Sequence, residues 1–144
     1  MGNNKRDRST GTYEAISEER VLRYSNLWRA IAYLIIISII VLSLIPNPDE
    51  VTPFSASDKV LHTIAYAVCM FWFGLCYGRD KLYIIGLILI VLGIVIEIIQ
   101  GQTGYRDMSL YDIFANIAGV LIGFLLSFSR LSWTLHYFEK LLFR

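Results

Sequence analysis

Ionisable and amide side chains recur at helical spacing in three separate stretches of this 144-residue chain. The residues are Asp58, Lys59, His62 and Tyr66 in the first stretch, Glu97 and Gln100 in the second, and Asp112 and Asn116 in the third. Except for Lys59, the members of each stretch are three, four or eight positions apart, so an α-helix places them on one face. A histidine beside carboxylates can act as a general acid or base, and a lysine can hold an anionic group. The three stretches therefore form a candidate site, provided that the fold brings them together.

The elements that must position these residues are four long apolar runs. They cover residues 27–45, 60–77, 82–99 and 110–128, and each approaches the roughly 20 residues that a transmembrane helix needs. Hydrophobic residues make up 56% of the chain, and its mean hydropathy is +0.54, which is higher than a soluble domain would have. The sequence therefore predicts an all-α integral membrane protein, a four-transmembrane-helix bundle with little chain left for a soluble domain.

Two short segments flank the predicted membrane domain, which spans residues 27–128. Residues 1–26 are predicted to form a cytoplasmic N-terminal tail; residues 1–12 are polar, and residues 13–27 have the spacing of an amphipathic helix leading into the first span. In residues 129–144, leucine and phenylalanine recur at helical spacing opposite charged residues. That pattern predicts a C-terminal amphipathic helix lying at the membrane interface on the cytoplasmic side.

The distribution of lysine and arginine predicts how the bundle sits in the membrane. Four spans place both termini on one side, together with the turn around Gly78, and eleven of the thirteen Lys and Arg residues fall on that side. Lys59 and Arg106 fall on the other side. By the positive-inside rule, both termini are predicted to be cytoplasmic. The polar residues of all three stretches then lie in the outer leaflet.

A stripe of small residues on the fourth run predicts how the three stretches meet. Gly119 and Gly123 form a GxxxG pattern, which Ala115 extends, and such a stripe allows another helix to approach closely. Asp112 and Asn116 share this face, so they are predicted to point inward with it. The sequence thus favours one polar pocket shared by the second, third and fourth spans.

Glu97 poses the sharpest electrostatic question. A carboxylate near the bilayer centre costs about 2.5–3.5 kcal/mol, and the C-terminal end of a helix also disfavours an anion. We therefore expect a cation beside Glu97, either Arg106 or Lys59. A purely structural ion-pair network is an alternative to a functional site, and Lys59 alone is also explained by its reaching toward the interface.

The sequence does not clearly indicate a metal ion or a nucleic acid as a ligand. A metal site made of His62, Asp58, Glu97 and Asp112 is an alternative, but the spacing of these residues is not diagnostic of one. We assign neither a metal nor a cofactor on this basis. The net charge of +1 provides no basic field for nucleic acid, so no nucleic-acid partner is predicted. The oligomeric state stays open.

The polar pattern resembles that of the VanZ-like family, small bacterial membrane proteins named for an accessory protein of teicoplanin resistance. That family has Asp-Lys-x-x-His-x-x-x-Tyr at the start of one span, Glu-x-x-Gln at the end of the next, a loop arginine, and Asp-x-x-x-Asn-x-x-Gly at the start of the last. The matching residues are Asp58, Lys59, His62, Tyr66, Glu97, Gln100, Arg106, Asp112, Asn116 and Gly119. The family often has a second acidic residue where this chain has Ile96. The resemblance covers residues 30–128.

The resemblance implies the cytoplasmic membrane of a bacterium and a role in envelope biology, without implying a particular reaction. One interpretation is an envelope accessory factor, linked to glycopeptide resistance, that binds a lipid-linked cell-wall precursor, an anionic lipid head group or a partner protein. The alternative is an integral-membrane enzyme acting on a lipid or cell-wall precursor, with His62 or Glu97 as acid or base. Lys59 and Arg106 would then hold the anionic head group. A transporter or conduit is disfavoured, because the inner halves of the spans lack strongly polar residues.

Overall fold

Four long α-helices account for nearly all of the residues described by the computed structural model, which are 24–46, 58–129, 137–138 and 140–141. The helices are α1, Ser25–Leu44; α2, Asp58–Cys76; α3, Leu82–Gln102; and α4, Leu110–Ser127. A short 3-10 turn, Arg79–Lys81, links α2 to α3. Each of the four helices is long and apolar enough to cross a membrane. The predicted all-α architecture with four helices of membrane-spanning length is confirmed, and the described part of the chain contains no strand.

The observed helix boundaries differ most from the prediction at the end of α3. The apolar run ends at Ile99, whereas α3 continues through Gly101 to Gln102. The backbone N–H of Thr103 and its hydroxyl both donate to the Gln100 carbonyl oxygen, at 3.1 and 2.6 Å. These bonds satisfy a carbonyl that the helix end would otherwise leave unpaired. The extra residues place the side chain of Gln100 within a regular helix.

The closest helix packing in the bundle is between α2 and α4. A Cβ atom added to Gly119 would collide with the Thr63 carbonyl oxygen, and one added to Gly123 would collide with the Ala67 carbonyl oxygen. Both glycines are buried, as is Ala115 one turn before Gly119. The small residues thus allow the backbones of the two helices to approach so closely that no larger side chain fits between them. This approach fixes the register between the first turns of α2 and α4, where the ionisable residues lie.

The bundle interior is apolar except at one end. A cluster of buried side chains draws on all four helices and consists of Ala32, Tyr66, Cys69, Met70, Phe73, Leu82, Leu89 and Val120. Among the described residues, the buried polar side chains other than Ser127 are His62, Glu97, Gln100, Asp112 and Asn116. All five lie at the end where α2 and α4 begin and α3 finishes. The fold therefore concentrates its buried polarity in one place.

The last carbonyl groups of α1 are hydrogen-bonded by the end of α3 and the loop that follows it. Gln100 Nε2 donates to the Ser43 carbonyl oxygen at 2.6 Å, and the Tyr105 hydroxyl donates to the Leu44 carbonyl oxygen at 2.7 Å. Arg106 also donates to the Ser43 oxygen, at 3.4 Å. Helix-end carbonyls have no partner within their own helix, and lipid offers none. These bonds attach α1 to the same end of the bundle.

We expect Gln100→Leu to lower the free energy of unfolding by about 1–3 kcal/mol, because it removes the best-placed donor to the partly buried Ser43 carbonyl. Thermal unfolding in detergent measures the effect. Gln102→Leu is the matched control, since Gln102 lies at the same helix end but is exposed. Equal stability of the two variants would show that the Gln100 bond does not hold α1 in place.

The terminal segments are mostly outside the described residues. The predicted N-terminal tail contributes only residues 24–26 to the structure. Of the predicted C-terminal amphipathic helix, four residues are described; they are helical, and Tyr137, Phe138 and Leu141 are exposed. Placement of this helix at a membrane interface stays a prediction.

Candidate functional site

Eight of the nine side chains predicted to line the polar pocket meet at the end of the bundle where α2 begins. We call this group the polar cluster; it consists of Asp58, Lys59, His62, Tyr66, Glu97, Arg106, Asp112 and Asn116. Helix α2 contributes the first four, α3 contributes Glu97, and α4 contributes Asp112 and Asn116. Arg106 enters from the loop between α3 and α4. Gln100 lies at the same end, but its amide is engaged by α1.

His62 is held by an amide from α4. Its Nδ1 lies 2.9 Å from Asn116 Oδ1, and both side chains are buried. An amide oxygen accepts but does not donate, so this bond places the proton on Nδ1. In the neutral form of the ring, the other nitrogen, Nε2, then carries no proton. It lies 3.7 Å from Asp58 Oδ1, which is longer than a hydrogen bond.

Two cations pair with the two aspartates of the cluster. Arg106 Nη2 donates to Asp58 Oδ2 at 2.8 Å, and the arginine side chain is only 16% exposed. Lys59 Nζ lies 3.7 Å from Asp112 Oδ1 and 5.9 Å from the centre of the Tyr111 ring. The lysine side chain is 54% exposed, so it can leave Asp112 without breaking any close packing. The arginine is therefore the fixed cation and the lysine the movable one.

Glu97 does not form the ion pair that the sequence favours. Its Oε1 accepts a hydrogen bond of 2.6 Å from the backbone N–H of Ser109. Among the described residues, Arg106 pairs with Asp58 and Lys59 with Asp112, so the expected pairing of Glu97 with either cation is wrong. The loop after α3 explains the difference, because it returns its own backbone to the carboxylate. Glu97 still lies close enough to Asp112, His62 and Arg106 to interact electrostatically with them.

Three oxygen atoms of the polar cluster are buried without a hydrogen-bond partner in the described structure. They are the Tyr66 hydroxyl, Glu97 Oε2 and Asp112 Oδ1. The three residues are 1%, 1% and 7% exposed, respectively. Leaving a buried polar atom unpaired costs about 1–3 kcal/mol, and more for a charged group. Buried polar atoms in native proteins normally have a hydrogen-bond partner, so these three atoms are available to bond with water or a ligand.

Gly93 provides space for the inner edge of the cluster. A Cβ atom added there would lie 3.1 Å from the Tyr66 hydroxyl and 3.1 Å from Asn116 Nδ2. Sequence reasoning missed this residue and the role of Ser109. Gly93 precedes Glu97 by four positions, so the shared helical face was a usable signal. Nothing in the sequence indicates that the Ser109 backbone contacts Glu97.

Three of the four residues named as an alternative metal site lie close together in the structure. One ligand atom from each of Asp58, His62 and Asp112 lies within 4.8 Å of the others. The fourth residue of that alternative, Glu97, does not belong to this group.

Comparison with protein families, characterised proteins and solved structures finds no match to this chain.

Proposed function

We propose that this chain is a VanZ-like protein of the bacterial cytoplasmic membrane that binds a lipid-linked head group through the polar cluster. The observation that carries the proposal is the set of three buried oxygens without a hydrogen-bond partner beside two cations. In this proposal the protein is an envelope accessory factor linked to glycopeptide resistance of the teicoplanin type. The resemblance of the motif residues to that family supplies the link to resistance.

The chemistry of the cluster fits a head group that combines hydroxyl groups with a phosphate. Glu97 Oε2 and Asp112 Oδ1 can accept hydrogen bonds from sugar hydroxyls, and the Tyr66 hydroxyl can donate or accept. Arg106 and Lys59 carry the charge that a phosphate needs. A lipid-linked sugar phosphate, of the kind that carries cell-wall precursors, presents both groups at the end of a hydrocarbon chain. A ligand with only an anionic group would offer no hydrogen-bond donor to the carboxylates of Glu97 and Asp112.

The orientation assigned to the bundle places this site where such a head group would be exposed. The predicted topology puts eleven of the thirteen Lys and Arg residues on the side of the chain termini, which the positive-inside rule assigns to the cytoplasm. The polar cluster then lies in the outer leaflet. The C-terminal amphipathic segment is assigned to the cytoplasmic interface.

One observation favours the enzymatic alternative, in which the same site acts on a lipid or cell-wall precursor. Asn116 fixes the proton of His62 on Nδ1, so Nε2 is available as a general base near Asp58. The two functions separate on His62→Gln. An enzyme would lose protection against teicoplanin while still binding the head group. An accessory factor would either lose binding and protection together or keep both.

The link to resistance is tested by complementation in a glycopeptide-sensitive bacterial host. We expect the wild-type chain to raise the teicoplanin concentration needed to stop growth, and Glu97→Gln to abolish that protection at matched membrane levels. The substitution keeps the shape of the side chain but removes the charge and one acceptor oxygen. Asp107→Asn is the control, because Asp107 is an exposed carboxylate in the neighbouring loop.

Each outcome of this assay has a separate meaning. Protection by both variants would show that the cluster is structural and would contradict the proposed site. Absence of protection by the wild-type chain would contradict the link to glycopeptide resistance, while binding of the head group is measured independently.

A further inference from the structure

We propose that Asp58, His62 and Asp112 form a binding site for a divalent transition-metal cation. This site shares residues of the polar cluster with the proposed head-group site, but metal binding to it does not require a head group. Ligand atoms of the three residues lie within 4.8 Å of one another. Ligands that share one cation at about 2.0–2.2 Å are separated from each other by about 3–4 Å. Small side-chain rotations therefore bring all three atoms into one coordination sphere.

The orientation of His62 is the first feature that favours a metal. A metal-binding histidine almost always donates its other ring N–H to an oxygen, which fixes the ring and its tautomer. His62 has this arrangement, with Nδ1 2.9 Å from Asn116 Oδ1 and both residues buried. Its Nε2 lies 3.7 Å from Asp58 Oδ1. A cation bound at Nε2 would leave the Asn116 bond intact.

The second, independent feature is the buried oxygen of Asp112. Oδ1 has no hydrogen-bond partner among the described residues, and the side chain is 9% exposed. A buried carboxylate oxygen without a donor is strongly unfavourable in a low-dielectric region. Lys59 Nζ approaches it to 3.7 Å, which gives electrostatic attraction without a close hydrogen bond. A divalent cation would satisfy the oxygen more fully than this mobile ammonium group.

The neighbouring cations fit a site that alternates between lysine and metal. Lys59 is half exposed and can move into solvent when a metal arrives. Arg106 binds Asp58 through Oδ2, whereas Oδ1 of the same carboxylate faces His62. Asp58 can therefore keep Arg106 on one oxygen and bind a metal through the other. Removing the competing charge of Lys59 should strengthen metal binding.

The ligand set selects the class of metal. Two carboxylates and one imidazole form a mixed oxygen–nitrogen set that suits Zn²⁺ or Mn²⁺ better than Ca²⁺ or Mg²⁺, which prefer oxygen ligands alone. Three protein ligands leave at least one coordination position open.

The test measures metal binding by the full chain in detergent micelles. Titration calorimetry measures the binding of ZnCl₂, and electron paramagnetic resonance measures the binding of MnCl₂. We expect one cation per chain, and coupling of bound Mn²⁺ to an imidazole nitrogen. Asp112→Asn and Asp58→Asn should each weaken binding at least about 100-fold, and Asn116→Ala about 10–100-fold. Lys59→Gln should strengthen binding about tenfold, because it removes the competing charge.

The controls separate a built site from general attraction of cations to acidic side chains. Asp107→Asn removes one exposed carboxylate from the same end of the molecule and should leave metal affinity unchanged. Asp58 is half exposed, so its variant reports on coordination even if Asp112→Asn does not fold. The proposal is overturned if Asp58→Asn and Asp107→Asn bind equally well, if the nitrogen coupling survives His62→Gln, or if the wild-type chain binds no cation.

Discussion

Replacing Gly119 with leucine should unfold or markedly destabilise the bundle, with a loss of about 3 kcal/mol or more in the free energy of unfolding. The Cβ position of Gly119 is already occupied by the Thr63 carbonyl oxygen and lies 2.9 Å from the Tyr66 Cβ. Overpacking a well-filled interior typically costs about 1–3 kcal/mol, and here backbone rather than a flexible side chain must move. The measurement is thermal unfolding of the purified chain in detergent.

The matched control for this substitution is Ala118→Leu. Ala118 is the preceding residue of the same helix and is exposed, so a larger side chain there extends into the surroundings of the bundle. We expect its unfolding temperature to match that of the wild-type chain. If Gly119→Leu and Ala118→Leu unfolded at the same temperature, close packing of α2 against α4 would not be what positions the polar cluster.

Replacing Lys59 and Arg106 together with glutamine should weaken binding of a phosphate-bearing lipid about 100-fold. Hydrogen bonds to charged groups contribute about 1.5–3 kcal/mol each, and 1.4 kcal/mol corresponds to a factor of ten. Within the polar cluster, Lys59 pairs with Asp112 and Arg106 pairs with Asp58. Native mass spectrometry of the chain in nanodiscs measures the lipid binding.

A second double substitution controls for total charge. Arg79→Gln with Lys81→Gln removes the same two positive charges from the turn at the other end of α2. We expect this variant to bind the phosphate-bearing lipid as the wild-type chain does. Equal weakening by the two double variants would mean that net charge, rather than the polar cluster, attracts the lipid.

The helices were predictable because the length and apolarity of a membrane span are recorded directly in the sequence. The convergence of the polar residues was predictable for a related reason. The spacing of Asp58, His62 and Tyr66 on α2 and of Asp112 and Asn116 on α4 fixes the face of each helix. Alternating direction of neighbouring spans then brings the polar ends of α2, α3 and α4 to one side of the bundle.

The partners of individual charges were not predictable in the same way. Arg106 lies in a loop that turns at Gly104, where φ is +76°, and the path of that loop decides which carboxylate the guanidinium reaches. It reaches Asp58, and the Ser109 backbone takes the position beside Glu97 that was expected for a cation. Helical periodicity carries no information about loop paths. The bonds from Gln100 and Tyr105 to the end of α1 were missed for the same reason.

The measurement that tests the proposed site most directly compares binding of a polyprenyl-phosphate-linked sugar with that of the same polyprenyl phosphate without its sugar, for the wild-type chain and for Glu97→Gln in nanodiscs. Glu97 is 1% exposed and has one oxygen without a partner, so its loss should matter to the sugar and not to a simple anionic lipid. We predict selective binding of the sugar phosphate by the wild-type chain and a loss of at least about tenfold in Glu97→Gln. Equal binding of both lipids by both chains would contradict a head-group site at the polar cluster.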